Sequence, residues 1–468
     1  MPTLNPTPGT KNRKGIYPMK PARIRSVLRA LSTFICTSVV GMFCHKEGSA
    51  QAAEHGIRYW GAMATETLSV KSGTILGGYG IYAPPFTGGS RRSQGTSDPL
   101  QVHATVLKGI RGNLLVLVGI DAVGLRSSTV DLITQELQRQ HPGLQLLLGA
   151  SHSHATPDTF GLWGELPHRS GVDVEYLQQI HVKTVQVVNR AILGLKPVHL
   201  TYAQENIPTL NKDVLTPNFA TWIWMQDATT HQMMGSWTHW NAHPTTLPSQ
   251  NLWVSADFVG AYRVYLRQHW GSGTHHGFMN GTLAGVYPNA TTPQDPPFPV
   301  PAGAPLSWFQ KTAGVGWDLF NASQRAWDQR KPVLDTSAFS RVFSVWVTIS
   351  NPLFRLASQL GIINETPVQG KLLSKGQWFK LGDIQGVALP GEPSPLVSLE
   401  YERLLVANGA STPLVLGLTG GMLGYLLDED REYGKKDWRY QTTVSPSPSA
   451  SSEIWKRFKN ILWKVEHL

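Results

Sequence analysis

Hydrophobic positions along the chain form short apolar runs that alternate with segments of helical spacing. Residues 102–107 and 114–120 predict two strands, and the second is apolar at nearly every position, as in a strand buried on both faces. A helix is predicted from Ser128, with a capping box, to the Pro-Gly stop after His141, and 144–148 is the next apolar run. Strand, helix and strand in such a short span predict a βαβ unit with parallel strands.

The same alternation continues to the end of the chain. Further strands are predicted at 198–203, 221–225, 233–240, 278–281, 338–349, 384–389 and 414–418, and further helices at 173–193, 255–268, 308–327, 395–406 and 453–467. The predicted class is α/β, with a mixed, largely parallel β-sheet core flanked by helices. With no repeat or long linker, we expect one domain over 53–450, an aromatic-rich insertion at about 300–365, and an exposed tail helix or tether in 451–468.

The first 52 residues differ in composition from the rest. They hold eight of the 41 Lys/Arg residues and one of the 31 acids, so the net charge of +10 falls to +3 (33 basic, 30 acidic) over 53–468. Basic residues precede the apolar run 30–44, and Ala50-Gln51-Ala52 follows it, which is the pattern of a secretory signal peptide. We therefore expect a secreted or periplasmic protein, with a short uncleaved anchor as the alternative.

This charge distribution and the cysteine positions restrict the possible chemistry. The basic excess lies in the leader, so a nucleic-acid partner is not expected. Both cysteines, Cys36 and Cys44, lie there too. A metal in the remaining chain must be bound by histidine, carboxylate or tyrosine.

Chemistry-bearing residues follow several predicted strands. His152 and His154 come after the run 144–148, His243 after 233–240, and Glu392 after 384–389. Ligands of open α/β sheets collect at such strand ends, and two histidines with a carboxylate are the usual ligands of a catalytic zinc. A shared metal requires the ligand atoms of His152, His243 and Glu392 to lie within about 4 Å of one another. A satisfied or exposed histidine is the alternative at each position.

One motif carries a family resemblance. Residues 151–158, Ser-His-Ser-His-Ala-Thr-Pro-Asp, resemble the Thr-His-Thr-His-Ser-Gly-Pro signature of the neutral/alkaline, non-lysosomal ceramidases. The similarity covers about residues 65–450 and continues, in the order of that family, through Asp98-Pro99-Leu100, Asn241-Ala242-His243-Pro244-Thr245-Thr246, Ser255-Ala256-Asp257, Asn280-Gly281 and Leu389-Pro390-Gly391-Glu392-Pro393.

The resemblance implies a zinc amidohydrolase that cleaves a lipid N-acyl amide, ceramide-like or related. It implies that Zn²⁺ is bound by His152, His243, Glu392 and Tyr425, and the tyrosine comes from the resemblance alone, with a core tyrosine as the alternative. His154 is expected to act in proton transfer or to donate to the oxyanion. Asp121 or Asp257 is expected to orient a ligand imidazole.

The sequence also departs from the family. Tyr287 occupies the position of a serine to which a catalytic role has been assigned, within Ala284-Gly285-Val286-Tyr287-Pro288-Asn289. From the length of the sequence, we do not expect the C-terminal β-sandwich domain of characterised ceramidases. Hydrolysis of another amide or ester, or binding without turnover, therefore remains open. The aromatic-rich insertion would line an acyl channel, contact a membrane peripherally, or form an ordinary core.

Overall fold

A computed structural model describes residues 59–465, except 81, 84–85, 88–89, 111, 165–168, 208, 212–218, 290–291 and 362–364. The leader with its two cysteines, and the last residues of the tail, lie outside this part. The described residues belong to one compact unit.

The strands, in chain order, are β1 (Tyr59–Leu68), β2 (Ile75–Leu76), β3 (Tyr82–Ala83), β4 (Phe86–Thr87), β5 (Arg91–Arg92), β6 (Gly95–Thr96), β7 (Leu100–Gly109), β8 (Leu115–Ile120), β9 (Gln145–Ala150), β10 (Lys196–Asn206), β11 (Thr209–Asn211), β12 (Phe219–Asp227), β13 (Met233–Trp240), β14 (Trp253–Val254), β15 (His275–Asn280), β16 (Val286–Pro288), β17 (Lys331–Pro332), β18 (Ala338–Thr348), β19 (Lys371–Leu381), β20 (Ile384–Ala388), β21 (Glu392–Pro393), β22 (Thr412–Leu416) and β23 (Tyr425–Leu426). The helices are α1 (Ser127–Gln140), α2 (Val174–Leu193), α3 (Phe258–Trp270), α4 (Leu306–Asp328), α5 (Pro352–Gln359), α6 (Pro395–Ala407), α7 (Arg439–Thr443) and α8 (Ala450–Val465), with a 3₁₀ turn at Lys436–Trp438.

The main sheet has the strand order β15-β13-β12-β10-β1-β7-β8-β9, with β17 added to β10. The mixed α/β class is confirmed, and the βαβ unit is β8-α1-β9. The expectation of a largely parallel sheet is wrong, because β8–β9 and β13–β15 are parallel while the other described pairs of this sheet are antiparallel. Short turns between consecutive strands, such as the one between β12 and β13, explain why these strands are antiparallel. The Asp227 carboxylate accepts from the amides of Thr229 and Thr230, at 2.8 and 2.9 Å, in a turn too short for a parallel crossover.

A second sheet, β18-β19-β20-β22, packs against the main one. Its outer face is covered by α6 and α8, and the interior of that layer contains Ile454 and Phe458 from α8, neither of which is exposed. The tail was expected to be exposed, and this is wrong for the described residues. The apolar positions 454, 458 and 462 recur every four residues, so they share one helix face that packs on the sheet.

The aromatic-rich segment 300–365 divides between two layers. Helix α4 packs Phe320 and Trp317 against Tyr265 of α3, and β18 contributes Phe343 to the core beneath α8. Most of its rings therefore belong to ordinary core, although Trp346 is exposed. None of the helices in the described part of the chain combines the length and the apolar character that crossing a bilayer requires.

The main sheet curls so that β15 packs against β7, β8 and β9. At its end, the side-chain amide of Asn280 donates to the carbonyl of Ala150, at 3.2 Å, and to that of Ser151. The ends of β9 and β15 therefore meet, although they are far apart in the strand order. This meeting point positions the candidate site.

Candidate metal centre

The loop after β9 holds His152 in a conformation that side chains rarely adopt. Its φ is 66°, in the left-handed region, which costs roughly 1–3 kcal/mol for a non-glycine residue. The Asn280 bonds fix the chain before it, and after it the Ser153 hydroxyl donates to the carbonyl of Ser255 at 2.7 Å. The imidazole Nδ1 bonds the carbonyl of Val123. This anchoring offsets the strain and directs Nε2 inward.

His243 is positioned in the same way from the other side. It follows β13, and its Nδ1 lies 3.0 Å from the carbonyl of Val286. Both imidazoles are buried. A carbonyl oxygen only accepts hydrogen bonds, so Nδ1 must carry the hydrogen in His152 and in His243. In the neutral tautomer that remains, each Nε2 presents a lone pair.

Glu392 brings a carboxylate to these two nitrogens. Its Oε2 lies 3.2 Å from Nε2 of His152 and 3.2 Å from Nε2 of His243, so the two contacts of Glu392 meet the 4 Å requirement. The ligand atoms of the two histidines lie within 4.8 Å of each other. Burial opposes ionisation of Glu392, but His152 and His243 outweigh it and lower the pKa to about 2. Burial likewise opposes protonation of His152, whose pKa is nevertheless raised by Glu392.

Tyr425 reaches the centre through a short parallel pairing. Strands β21 and β23 place it directly opposite Glu392. Burial, followed by the charge of Glu392, raises the pKa of Tyr425 well above its ordinary value. The four predicted ligands therefore belong to one constellation.

His154 belongs to the same cluster. Its Nε2 is 3.2 Å from Nε2 of His152, and its buried Nδ1 has no hydrogen-bond partner among the described residues. Burial, and then the adjacent imidazole of His152, lower the pKa of His154 well below 6.5, so its imidazole is neutral at pH 7. A Cβ on Gly78 would lie 2.3 Å from the His154 ring, so glycine is required there, and Tyr79 covers the ring edge-on at 4.8 Å.

The cluster is compatible with a bound metal ion. One ligand atom from each of His152, His154 and His243 lies within 4.8 Å of the others. Neighbouring donors of a tetrahedral zinc with bonds near 2.05 Å lie about 3.3 Å apart, close to the 3.2 Å contacts made by His152. Lone pairs and a carboxylate that converge without water between them repel unless a proton or a cation lies among them.

The two aspartates predicted to orient the ligand imidazoles occupy other positions. Asp121 is buried and pairs with Arg263 at 2.5 Å, and it accepts the amide of Gln101 at 2.8 Å. Asp257 caps α3 and accepts the amides of Thr246 and Leu247, at 3.2 and 3.0 Å. The expected orienting role is thus corrected, because backbone carbonyls take it. Asp257 instead fixes the loop that follows His243.

Sequence reasoning missed the carbonyl partners of the ligand histidines and the cover over His154. The carbonyls of Val123 and Val286 carry no side-chain signal. The glycine-rich stretch at 76–80 did mark the cover, because Gly78 and Tyr79 lie in it. Tyr287, already singled out, is half-buried and stacks on His243, with ring centroids 5.2 Å apart and an interplanar angle of 26°.

Comparison with solved structures identifies this architecture. The chain superposes on neutral ceramidase from Pseudomonas aeruginosa with a TM-score of 0.69 and 15% identity, covering 85% of this chain and 72% of that one. The fold is that of neutral ceramidase. A ceramidase complexed with C2 gives a TM-score of 0.67 and 14% identity, over 85% of this chain and 73% of that one. No protein-family model and no curated protein sequence matches the chain. The resemblance noted in the sequence is thus confirmed as a ceramidase-like fold.

Proposed function

We propose that the protein is a zinc-dependent hydrolase that cleaves the N-acyl amide bond of a ceramide-like lipid. One observation carries the proposal. Two buried imidazoles with carbonyl-bound Nδ1 atoms direct Nε2 at one carboxylate, within the fold of neutral ceramidase. Two histidines and a carboxylate are a recurrent catalytic zinc set.

Zinc would be bound by His152, His243, Glu392 and Tyr425, and when bound it supplies a Lewis acid that lowers the pKa of water and polarises a carbonyl. His154, neutral and adjacent, takes the proton of the attacking water and returns it to the leaving amine.

Tyr287 completes the proposed machinery. Burial, and then Glu392, raise the pKa of Tyr287, so its phenol stays protonated at neutral pH and can donate to the developing oxyanion. In this proposal the phenol of Tyr287 stabilises the oxyanion from the position where ceramidases have a serine.

A lipid substrate is supported by the apolar groups on both sides of the cluster. Ala155 and Leu247, in the two histidine loops, pack with Phe309 and neighbouring partly buried side chains of the segment 298–308. On the other side, Val123 packs with Phe160, Trp163, Leu283, Leu418 and Met422.

The test pairs metal content with substrate range. Purified protein is analysed for zinc, then assayed with and without a chelator against long-chain ceramide, N-acetyl sphingosine and a fatty-acid ester. We expect one zinc per chain, chelator-sensitive hydrolysis and a preference for long-chain ceramide. Protein without zinc, or with zinc but without turnover on any of the three, would refute the proposal and favour a binding protein. A preference for the ester or for the short amide would refute the lipid-amide assignment alone.

The location is a further proposal. The leader 1–52 has the organisation of a secretory signal peptide, so we propose secretion or export to the periplasm. N-terminal sequencing of the protein recovered from its native compartment tests this. A chain that begins after Ala52 supports it, and an intact leader on membrane-bound protein favours the anchor.

A further inference from the structure

Exposed apolar side chains concentrate in one segment of the chain. Of the fifteen large hydrophobic residues that are exposed in the described part, six lie between 342 and 373. We call this set the apolar patch, and its members are Val342, Trp346, Leu356, Leu360, Val368 and Leu373. A large aromatic ring at 49% exposure among aliphatic side chains is unusual at a surface that meets only water.

Hydrogen bonds and strand register place much of the patch on one surface. Trp346 lies directly opposite Leu373 in the β18–β19 pair, and Val342 shares its face of the pleat. Lys375, two residues from Leu373, pairs with Asp131 of α1 at 2.7 Å. This ion pair places α1 beside the surface.

The loop after α5 is attached to the same helix. Glu365 accepts the Ser127 amide at the start of α1, at 2.8 Å, and Val368 is bridged to Lys371 at the start of β19. Residues 365–368 therefore run between α1 and the β18–β19 pair.

Basic side chains outnumber acidic ones around the patch. Lys371 and Lys375 share the face of Leu373, and Arg355 lies on α5. The acids in contact with this region are Asp131, which pairs with Lys375, and Glu453, which accepts from Thr348. From α8, Arg457 donates to the carbonyl of Ser344 on the edge strand at 3.0 Å, which adds a cation beside Trp346. A tryptophan with aliphatic residues and a ring of Lys/Arg matches the interface of an anionic bilayer.

We infer that the apolar patch and its basic rim dock this protein on an anionic lipid bilayer. Trp346, Val342 and Leu373 enter the headgroup region, and the basic side chains contact lipid phosphates and carboxylates. A second copy of the chain is a poorer occupant, because two such rims would face each other with like charge.

The surface lies beside the candidate metal centre. Phe354 and Ala357, on the inner side of α5, pack in the cluster that contains Val123, whose carbonyl fixes His152. The docking proposal does not depend on hydrolysis, but under the proposed function it places the catalytic loop next to the lipid source.

Vesicle sedimentation tests the proposal without any activity measurement. Full-length protein is mixed with phosphatidylcholine vesicles, and separately with vesicles that also contain phosphatidylserine. Leu373→Gln and Lys371→Glu are compared with matched controls at the far end of the α1–α2 layer, the exposed Leu193→Gln and Arg139→Glu. Trp346→Ser is a second variant, with circular dichroism as the folding check.

We expect binding to the anionic vesicles that salt weakens, since each Lys or Arg near the surface contributes about fivefold in affinity. Lys371→Glu should lose at least that factor, and Leu373→Gln and Trp346→Ser about tenfold. The two controls should bind like the wild type. Equal binding by patch variants and controls would overturn the proposal, as would no binding to either vesicle. Self-association that Trp346→Ser abolishes would instead identify a second copy as the occupant.

Discussion

Two groups of histidines in this protein use buried imidazoles in opposite ways. In the candidate centre, Nδ1 of His152 and Nδ1 of His243 each donate a hydrogen bond to a backbone carbonyl, and each Nε2 points at the carboxylate of Glu392. In the interior of the main sheet, His103 and His276 lie near Arg263, which pairs with Asp121.

The partners in the second group are hydroxyls. His103 bonds Thr65 through Nδ1 and Thr105 through Nε2, at 3.1 and 3.2 Å. His276 bonds Ser236 through Nδ1 and Thr274 through Nε2, at 2.9 and 2.8 Å. A hydroxyl both donates and accepts, so it satisfies either nitrogen of a neutral ring.

The difference teaches that burial alone does not mark a metal ligand. Burial, and then nearby positive charge, lower the pKa of His103 and of His276 well below 6.5, and these rings remain neutral and fully bonded. In the candidate centre the acceptors converge, and a cation or a proton is needed among them. The kind of partner therefore separates the two groups.

The largest effect is expected from removing a converging imidazole. His243→Ala should remove bound zinc and lower kcat/KM on ceramide by roughly 10³-fold or more, because the Lewis acid is lost. His276→Gln should keep both zinc and turnover. Elemental analysis and steady-state kinetics compare His243→Ala with His276→Gln. Equal zinc content in the two variants would show that the two groups of histidines do not differ in metal binding.

A smaller loss is expected from the hydroxyl that lies outside the donor set. Tyr287→Phe keeps the ring on His243 but removes the proposed oxyanion donor, so kcat should fall about 10²-fold with zinc content and KM unchanged. Tyr287→Ser, which restores the residue of the ceramidase family, is the matched variant. If Tyr287→Phe has the same kcat as the wild type, the hydroxyl of Tyr287 has no part in catalysis and the ring only covers His243.

Acid should destabilise the protein through the hydroxyl-bonded group. The unfolded state binds protons below about pH 6.5, whereas native His276, with its lowered pKa, does not. Its stabilising contribution is therefore complete above pH 6.5 and is lost as the pH falls, by about 1.4 kcal/mol per pH unit. Denaturant titrations at pH 7, 6 and 5 should show a shallower loss in His276→Gln. An unchanged slope would mean that native His276 binds the proton.

The smallest effect concerns a single hydroxyl. Thr274→Val leaves Nε2 of His276 without its partner, and the free energy of unfolding should fall by about 1–3 kcal/mol at pH 7. Thr105→Val makes the same change at His103. Thermal unfolding with zinc present measures both, and loss of zinc in either variant would contradict the separation of the two groups.

The sequence predicted the strand ends that carry His152, His243 and Glu392, because apolar runs and the residues after them are local features. It could not predict what orients the rings, since the carbonyls of Val123 and Val286 belong to backbone brought in by the curl of the sheet. The prediction of a largely parallel sheet was wrong for a related reason, because the tertiary fold decides which strands pair and in which direction.

The tail helix shows the opposite case. Its apolar residues 454, 458 and 462 were visible in the sequence, but their periodicity says only that one face is apolar. That the face meets β18 and not water depends on the second sheet. Asp121 pairs with Arg263 and not with a ligand imidazole, and the sequence separation of 121 and 263 gives no indication of that ion pair.

The candidate centre also joins two layers of the molecule that are formed by distant parts of the chain. His152 and His243 follow strands of the main sheet, whereas Glu392 and Tyr425 follow β20 and β22 of the second sheet. A cation bound by all four is a crosslink between the two layers. Zinc should therefore slow amide hydrogen exchange at the sheet interface, far from any ligand, because the layers can separate only after the metal leaves.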